Sequence, residues 1–455
     1  MPNPVAELES SKPDRESAVP QGAPEWFSEP PRHDEPAELP EWYRDLRTES
    51  WHNYLETPEP MRTDENWRFA NLKQVKFDPL SMAEPFPDTD SIIEKTHQLG
   101  LKDLATRFIF AGNRLIHQDD DSGIPEGVIC LPIMEALAKH GDLVREHFMQ
   151  EDARLGGEKF AALHGAATLS GVFVYVPKGV VVEKPIEVAH WTRGENSVIF
   201  PHTLVVVEAN ASVTVVDWFR SENTEDSTLA VANVDIASED GGKAQYVAFQ
   251  NWNDRSRHVH LNGTRVGRDA RATSCFVNVG SAWARNESFS RLTAPGADSR
   301  MLSSNLADGA QEFDQRTLQL HEAGHTFSDL LYKNALYDTA RTIFSGLIQV
   351  CPGAHHTDAY QKCRNLLGSD EAEANSMPGL EIDADQVKCS HGATSGQISE
   401  EEIFYLKARG IPPVKARQMI SQGFLNEVVE HLEGDEVIAA IEQRFEERFA
   451  VLAQV

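Results

Sequence analysis

The sequence predicts a mainly β protein, with a parallel β-helix of stacked coils between an N-terminal α/β domain and a small C-terminal helical domain. Two observations predict the solenoid. Between residues 166 and 398, short β-branched and aromatic runs alternate with turns of Gly, Asp and Asn. Within the same region, turns of small residues recur at nearly constant spacing. A large β-sandwich with evenly spaced loops is the alternative.

Each recurring turn contains a small residue just before a strand-like run. The marker positions are Ala211, Gly242, Ala270, Ala297, Gly324 and Ala354. The steps between them are 31, 28, 27, 27 and 30 residues. Repeats of one length are typical of coils that bury their inner faces against their neighbours. We therefore assign residues 166–398 to a β-helix core.

The region before this core divides in two. Residues 1–40 are rich in Pro, Glu, Asp and Ser, which predicts a disordered acidic tail. Residues 41–165 have mixed signals and predict an α/β domain. Within it we expect helices over 131–149 and 158–164, and two short strands around the turn Gly112-Asn113.

Residues 399–455 predict the helical domain. Ser399 and Glu402 match a capping box that starts a helix, and Gly410 ends it. A second helix is expected from Pro413 to a stop at Gly423, and a third over 426–432. The last helix has an apolar stripe that should form the core of this domain. The stripe consists of Ile438, Ile441, Phe445, Phe449 and Leu452.

Composition limits the possible partners and the compartment. The formal charge of −29 argues against nucleic acid as the main partner, because phosphate binding needs basic patches. No apolar run reaches the roughly 18 residues that span a bilayer, and no signal pattern opens the chain. Five cysteines, an odd number in a long chain, fit a reducing compartment. We expect a cytoplasmic protein.

The stretch His321-Glu322-Ala323-Gly324-His325 matches the HExxH pattern of zinc hydrolases. That chemistry needs both His side chains on one face of a helix. Here the five residues fall on the fifth turn of the series, and Gly324 would weaken a helix by about 1 kcal/mol relative to Ala. We interpret His321, Glu322, Gly324 and His325 as a structural turn, with a zinc-dependent hydrolase as the alternative.

Metal-capable side chains gather near the end of the β region. Cys389 and His391 are two residues apart, so on a strand they point to the same face. Cys363 approaches them if their coils are neighbours, and otherwise it is a small buried hydrophobe. Thiolate and imidazole suit zinc or iron–sulfur chemistry. The chain has no GxSxG motif and no GxxxxGK[ST] phosphate loop. A β-helix carbohydrate-active enzyme, which would need secretion, is a further alternative.

Residues 333–411 resemble the SufB/SufD family of iron–sulfur cluster assembly scaffolds, and SufD more than SufB. The matching segments are ARTIFSGLI (340–348), TDAYQ (357–361), RNLL (364–367), MPGLEI (377–382), CSHGAT (389–394) and IFYLKARGI (403–411). Upstream, DENWRFANL (64–72) and GVFVYVPKGVVVEKPIEV (171–188) are similar as well. The resemblance covers residues 55–430 and implies a right-handed parallel β-helix.

The resemblance also implies a function, that of a non-enzymatic scaffold subunit of the SUF complex. Such a subunit pairs with SufB at the interface where a nascent iron–sulfur cluster forms transiently, and ATP is hydrolysed by the partner SufC. His391 matches the SufD residue implicated there, with Cys389 beside it, and Cys363 is either an added ligand or an incidental thiol. A homodimer is possible in isolation. The candidates for the SufC-facing surface are Ile403, Phe404, Leu406, Met419, Ile420 and Phe424.

Overall fold

The structure is a computed structural model that describes residues 39–75 and 80–452. Strands make up 41% of the chain and helices 25%, so the protein is mainly β, as predicted. Apart from residues 39 and 40, the predicted acidic tail lies outside the described residues. No helix of the described ranges is long and apolar enough to cross a membrane.

The N-terminal region mixes helices with short strands that join the solenoid. Its elements are α1 (Glu41–Glu56), two 3-10 helices (Glu65–Trp67 and Leu72–Gln74), β1 (Ser81–Met82), α2 (Thr89–Leu99), β2 (Thr106–Ala111), β3 (Arg114–Gln118), β4 (Ile129–Pro132), α3 (Ile133–His147) and α4 (Glu158–Ala167). The predicted helices correspond to α3 and α4, and the predicted hairpin to β2 and β3. Strands β2 and β4 extend the two sheets of the solenoid, so this region covers its first end.

The core is a parallel β-solenoid of about 8 turns built from two sheets. Along the chain, strands alternate between the sheets, and each pairs in parallel with a strand of the next coil. The first sheet adds to β1 and β4 the strands β5 (Ser170–Val176), β7 (Ser197–Ile199), β8 (Pro201–Val207), β10 (Thr228–Ser238), β12 (Arg257–Val266), β14 (Trp283–Leu292), β16 (Glu312–His321), β18 (Arg341–Val350) and β20 (Glu373–Ile382). The second adds to β2 and β3 the strands β6 (Ile186–Thr192), β9 (Ser212–Ser221), β11 (Lys243–Asn251), β13 (Arg271–Asn278), β15 (Asp298–Ala307), β17 (Phe327–Leu336), β19 (Asp358–Leu367) and β21 (Lys388–Gln397). The predicted fold class is confirmed.

One corner of the solenoid places a left-handed residue two positions before each strand of the second sheet from β9 onward. These residues have φ between 53° and 82° and are Asn210, Gly241, Asp269, Gly296, His325, His356 and Gln386. Gly, Asn and Asp favour this conformation, so the first four corners have a sequence signature. The last three do not.

The last two members of the predicted turn series, Gly324 and Ala354, do not occupy the same position in the coil as the first four. In the ladder, the positions equivalent to Ala297 are Thr326 and Thr357, so the assignments of Gly324 and Ala354 to that position are wrong. Gly324 is small for a different reason: a Cβ there would lie 2.6 Å from the carbonyl oxygen of His355 on the next coil. A glycine is therefore required at position 324 because two coils approach closely there, and not because of a positive φ.

Three helices close the described chain: α5 (Glu400–Ala408), α6 (Pro413–Val429) and α7 (Asp435–Leu452). The Ser399 hydroxyl accepts the Glu402 N–H at 3.4 Å, as the predicted N-cap requires. The predicted stop at Gly423 is wrong, because α6 continues through it. A glycine costs a helix about 1 kcal/mol, and burial of Leu425 and Val428 beyond it offsets that cost.

Helices α6 and α7 bury their apolar faces against the second sheet. Leu425, Ile441 and Phe445 belong to one buried cluster with Trp218 and Val247 of the solenoid. The expected separate core for the apolar stripe of α7 is therefore wrong, because the sheet itself supplies the partner surface. This packing fixes α6 over β15 and β17, close to the last coils.

Candidate metal site at the last coil

The last coil of the solenoid consists of β20 and β21, which are the terminal strands of the two sheets. Each pairs with the preceding coil on one side, β20 with β18 and β21 with β19. Across residues 39–75 and 80–452, neither has a strand on its outer side. The solenoid therefore ends in two open strand edges.

Residues that face the interior of the solenoid are stacked in register from coil to coil. This stacking continues from β19 to β21, where the side chains become accessible to solvent. The facing pairs of β19 and β21 are Ala359 with Cys389, Gln361 with His391, Cys363 with Ala393, and Asn365 with Ser395. The four β19 residues are at most 4% exposed, whereas on β21 Cys389 is half-buried and the other three are exposed. A hydrogen bond from Asn365 Nδ2 to Ser395 Oγ at 3.1 Å shows that side chains of the two strands meet inside the coil. The β21 partners therefore line the mouth of the lumen.

Cys389 and His391 share this mouth. Cys389 packs against the buried cluster of Ile348 and Ala359, and burial, with a contribution from Asp358, raises the pKa of its thiol. A metal that binds this sulfur must displace its proton, since the thiolate is the ligand. His391 is exposed and carries an imidazole two residues along the same face. One sulfur and one nitrogen are half of a four-ligand set, so a second surface has to supply the remaining ligands.

Cys363 lies apart from this pair. It is fully buried among Met301, Leu330, Tyr332 and Phe344, and burial raises the pKa of its thiol to about 12. Its register partner on β21 is Ala393. His391 lies two residues before Ala393 along β21, and Cys389 lies four residues before it. The structure thus places Cys389 and His391 on one face of β21 and leaves Cys363 buried inside the coil.

The HExxH residues occupy a strand end and a turn instead of one helix. His321 is the last residue of β16, with Nδ1 2.7 Å from the Thr326 hydroxyl and Nε2 2.9 Å from the Ser328 hydroxyl. His325 is exposed in the corner. Both ring nitrogens of His321 are already hydrogen-bonded, and the two His do not share a helical face. This arrangement offers no zinc site of the hydrolase kind.

Near this motif, Glu322 pairs with Arg291 at 3.0 Å, and the ring of His325 stacks on that of His356 with centroids 4.6 Å apart. The glutamate is therefore held in a surface ion pair on the outside of the coil. In the hydrolase mechanism this glutamate would be the general base, whereas here its carboxylate is paired with an arginine.

The predicted partner-facing residues differ in exposure. Ile403 is buried, Leu406 and Ile420 are half-buried, and Phe424 lies half-buried with the Lys333 ammonium 4.4 Å from its ring centre. These four help to hold α5 and α6 in place. Phe404 is 71% exposed and Met419 is 43% exposed.

Sequence reasoning missed two further exposed apolar side chains, Tyr405 on α5 and Val414 on α6. Tyr405 directly follows the identified Phe404, and Val414 lies in the first turn of α6, on the same helix as the identified Met419. We name Phe404, Tyr405, Val414 and Met419 the apolar patch. These four exposed apolar side chains lie on two helices that pack against each other, and we take them as the candidates for a contact surface.

A second polar cluster lies beside the N-terminal hairpin and was also missed. His97, His117 and Asp119 bring three ligand atoms within 4.8 Å of one another. Arg107, which is paired with Glu187 at 2.6 Å, donates to His97 Nδ1 at 2.7 Å. The imidazole must then carry its proton on Nε2, so His97 has no lone pair for a metal. The available signal was His117 near the end of β3, with Asp119 two residues later.

Two family models match the chain. The SUF system FeS cluster assembly SufBD core domain matches residues 190–424, and the SufBD protein N-terminal region matches residues 37–188. The chain is 28% identical over 416 residues to the iron–sulfur cluster assembly protein SufD of Bacillus subtilis, covering 89% of this chain and 92% of that one. It is 26% identical to SufB of the same organism, covering 87% of each chain. A SufBD family protein of Synechocystis is 26% identical, covering 82% of this chain and 84% of that relative.

Proposed function

Because the chain belongs to the SufB/SufD family of the SUF iron–sulfur cluster assembly system, we propose that it is a non-enzymatic scaffold subunit of an assembly complex. In this proposal it pairs with a SufB-like chain through its last coil and binds a SufC-like ATPase through its C-terminal helices. The nascent cluster is the cargo of the complex and forms between the two scaffold chains. We place this complex in the cytoplasm.

The observation that carries the proposal is the open end of the solenoid. Unpaired N–H and C=O groups along a strand edge form a template for another chain, and proteins that stay monomeric blunt or cover such edges. Here β20 and β21 present ten residues each, with no further strand of the described residues beyond them. A second solenoid of the same family offers the matching edges, and its end would close the lumen mouth.

Pairing at this end would give the cluster a site with two sides. Cys389 and His391 supply a soft sulfur and an imidazole, both of which iron–sulfur centres accept. The remaining ligands would come from the SufB-like chain facing them. A site divided between two chains explains how a cluster could be released, since separating the chains would break its coordination.

The C-terminal helices provide a route from the ATPase to that site. Binding of the SufC-like partner at the apolar patch would place it on α5 and α6. Lys333 of β17, whose side chain is 1% exposed, pairs with Glu427 of α6, and Arg364 of β19 lies 3.5 Å from the same carboxylate. Movement of α6 would therefore act on β17 and on β19, and β19 pairs directly with β21.

Co-expression of the tagged chain with its candidate partner genes tests this function. We expect a complex containing a SufB-like chain and a SufC-like ATPase, with iron and acid-labile sulfide present in comparable amounts. Isolation of the chain alone, or only as a homodimer without iron and sulfide, would contradict the proposal. The measurement is the subunit composition of the purified complex together with its metal and sulfide content.

A further inference from the structure

The interior of the last coils contains a chain of side-chain hydrogen bonds that ends below His391. Gln361 of β19, which is 1% exposed, donates from Nε2 to Gln319 Oε1 at 3.4 Å. Gln319 Nε2 donates to Ser328 Oγ at 2.7 Å, and Ser328 Oγ lies 2.9 Å from His321 Nε2. This series of hydrogen bonds therefore starts at His321, the first histidine of the HExxH stretch, and ends at Gln361.

The last atom of this hydrogen-bond series is a buried acceptor, the side-chain oxygen of Gln361. Gln361 Oε1 has no hydrogen-bond partner among the described residues. Leaving a buried polar atom without a partner is unfavourable, so such an atom usually marks a missing interaction. Because the Gln361 amide N–H is directed at Gln319 Oε1, the Gln361 oxygen is directed elsewhere.

The side chain that follows Gln361 in this interior column, on the last strand, is His391. Gln361 and His391 are direct partners on adjacent strands, which places their backbones about 4.8 Å apart. The contact between Asn365 and Ser395, two pairs along the same strands, shows that interior side chains cross this gap. An imidazole N–H aimed inward from His391 would meet the orphaned oxygen.

We propose that Gln361 is a positioning residue that accepts a hydrogen bond from His391 and so fixes the tautomer of its ring. One ring nitrogen then carries the proton toward the lumen, and the other keeps its lone pair toward the mouth. Histidines that bind metals through one nitrogen usually donate from the other in this way. This inference rests on the proposed function, in which His391 is a ligand. It also makes His321 the residue at which the hydrogen-bond series to Gln361 begins.

The test compares the full-length chain with Gln361→Met, which preserves the side-chain length and removes the acceptor. Histidine ring nitrogens are labelled with ¹⁵N, and His391 is assigned by the signal lost in His391→Ala. We expect one dominant His391 tautomer in the unaltered chain and a mixture of both in Gln361→Met. Gln361→Glu, which retains the acceptor, should restore the single tautomer. Ser395→Ala, on the same strand and the same interior face, should leave it unchanged.

An unchanged His391 spectrum in a folded Gln361→Met chain would overturn the inference, as would an equal change in Ser395→Ala. If Gln361→Met does not fold, the Gln361→Glu spectrum decides, since a carboxylate in place of the amide must shift the His391 ring signals if the two side chains touch. This readout needs no cluster and no partner. Failure of the proposed function would instead appear as normal cluster content in a complex carrying His391→Ala, whatever the tautomer.

Discussion

Replacement of His391 by alanine is expected to remove most of the iron–sulfur cluster from the assembled complex while leaving the complex intact. The imidazole lies at the mouth of the lumen, and in the proposed function it is one of the two ligands that this chain would supply. Loss of a residue that only hydrogen-bonds to a metal ligand typically lowers the metal affinity about ten- to hundredfold. Loss of a ligand itself should therefore lower the cluster content by about tenfold or more. Iron and acid-labile sulfide per complex, measured after co-purification, check this result.

Cys363→Ala is the matched control for that experiment. Its thiol lies on the adjacent strand but is buried, with a pKa raised to about 12, and it faces Ala393 instead of the metal candidates. We expect this variant to keep the cluster content of the unaltered complex. A complex of His391→Ala with full iron and sulfide would show that the ligands lie elsewhere, and an equal loss in Cys363→Ala would show that the effect is not specific to His391.

Replacement of Phe404 by alanine is expected to release the ATPase subunit. Phe404 is the most exposed member of the apolar patch, so its truncation removes little from the packing of this chain. An aromatic anchor at an interface is typically worth about 2 kcal/mol or more, which corresponds to a roughly thirtyfold weaker complex. Titration of the purified ATPase against the scaffold chain measures the change in Kd.

Val181→Ala serves as the comparison, since Val181 is 53% exposed and lies on the solenoid far along the chain from the patch. It should bind the ATPase with unchanged affinity. Equal affinities for Phe404→Ala and the unaltered chain would remove the apolar patch from the proposed interface. Ile403 and Phe424 are poor probes, because their side chains also pack within this chain.

Periodicity made the solenoid predictable from sequence, because each coil repeats the same alternation of strand and corner. The register of the later coils was not predictable in the same way. At His325 and His356 a left-handed corner is occupied by residues that rarely mark one, and Gly324 offered a stronger but misleading signal one position before the corner residue His325. Local composition identifies a corner only when the residue there is Gly, Asn or Asp.

The candidate site was partly predictable for a related reason. Alternation along a strand placed Cys389 and His391 on one face, but it could not say which coil was the last. The role of Gln361 depends on its register with His391 and on the hydrogen bond to Gln319, 42 residues away in sequence. At α6, burial against the sheet outweighed the weak helix propensity of Gly423, and the surface that provides this burial comes from distant strands.

Hydrogen exchange at the last coil tests the central claim most directly. Backbone amides of β20 and β21 should exchange readily in the isolated chain, because their outer edges lack a neighbouring strand among the described residues. In the complex with the SufB-like chain alone, peptides covering Glu373–Ile382 and Lys388–Gln397 are predicted to become protected. Unchanged exchange in these two strands, with protection appearing elsewhere on the chain, would contradict pairing through the open end of the solenoid.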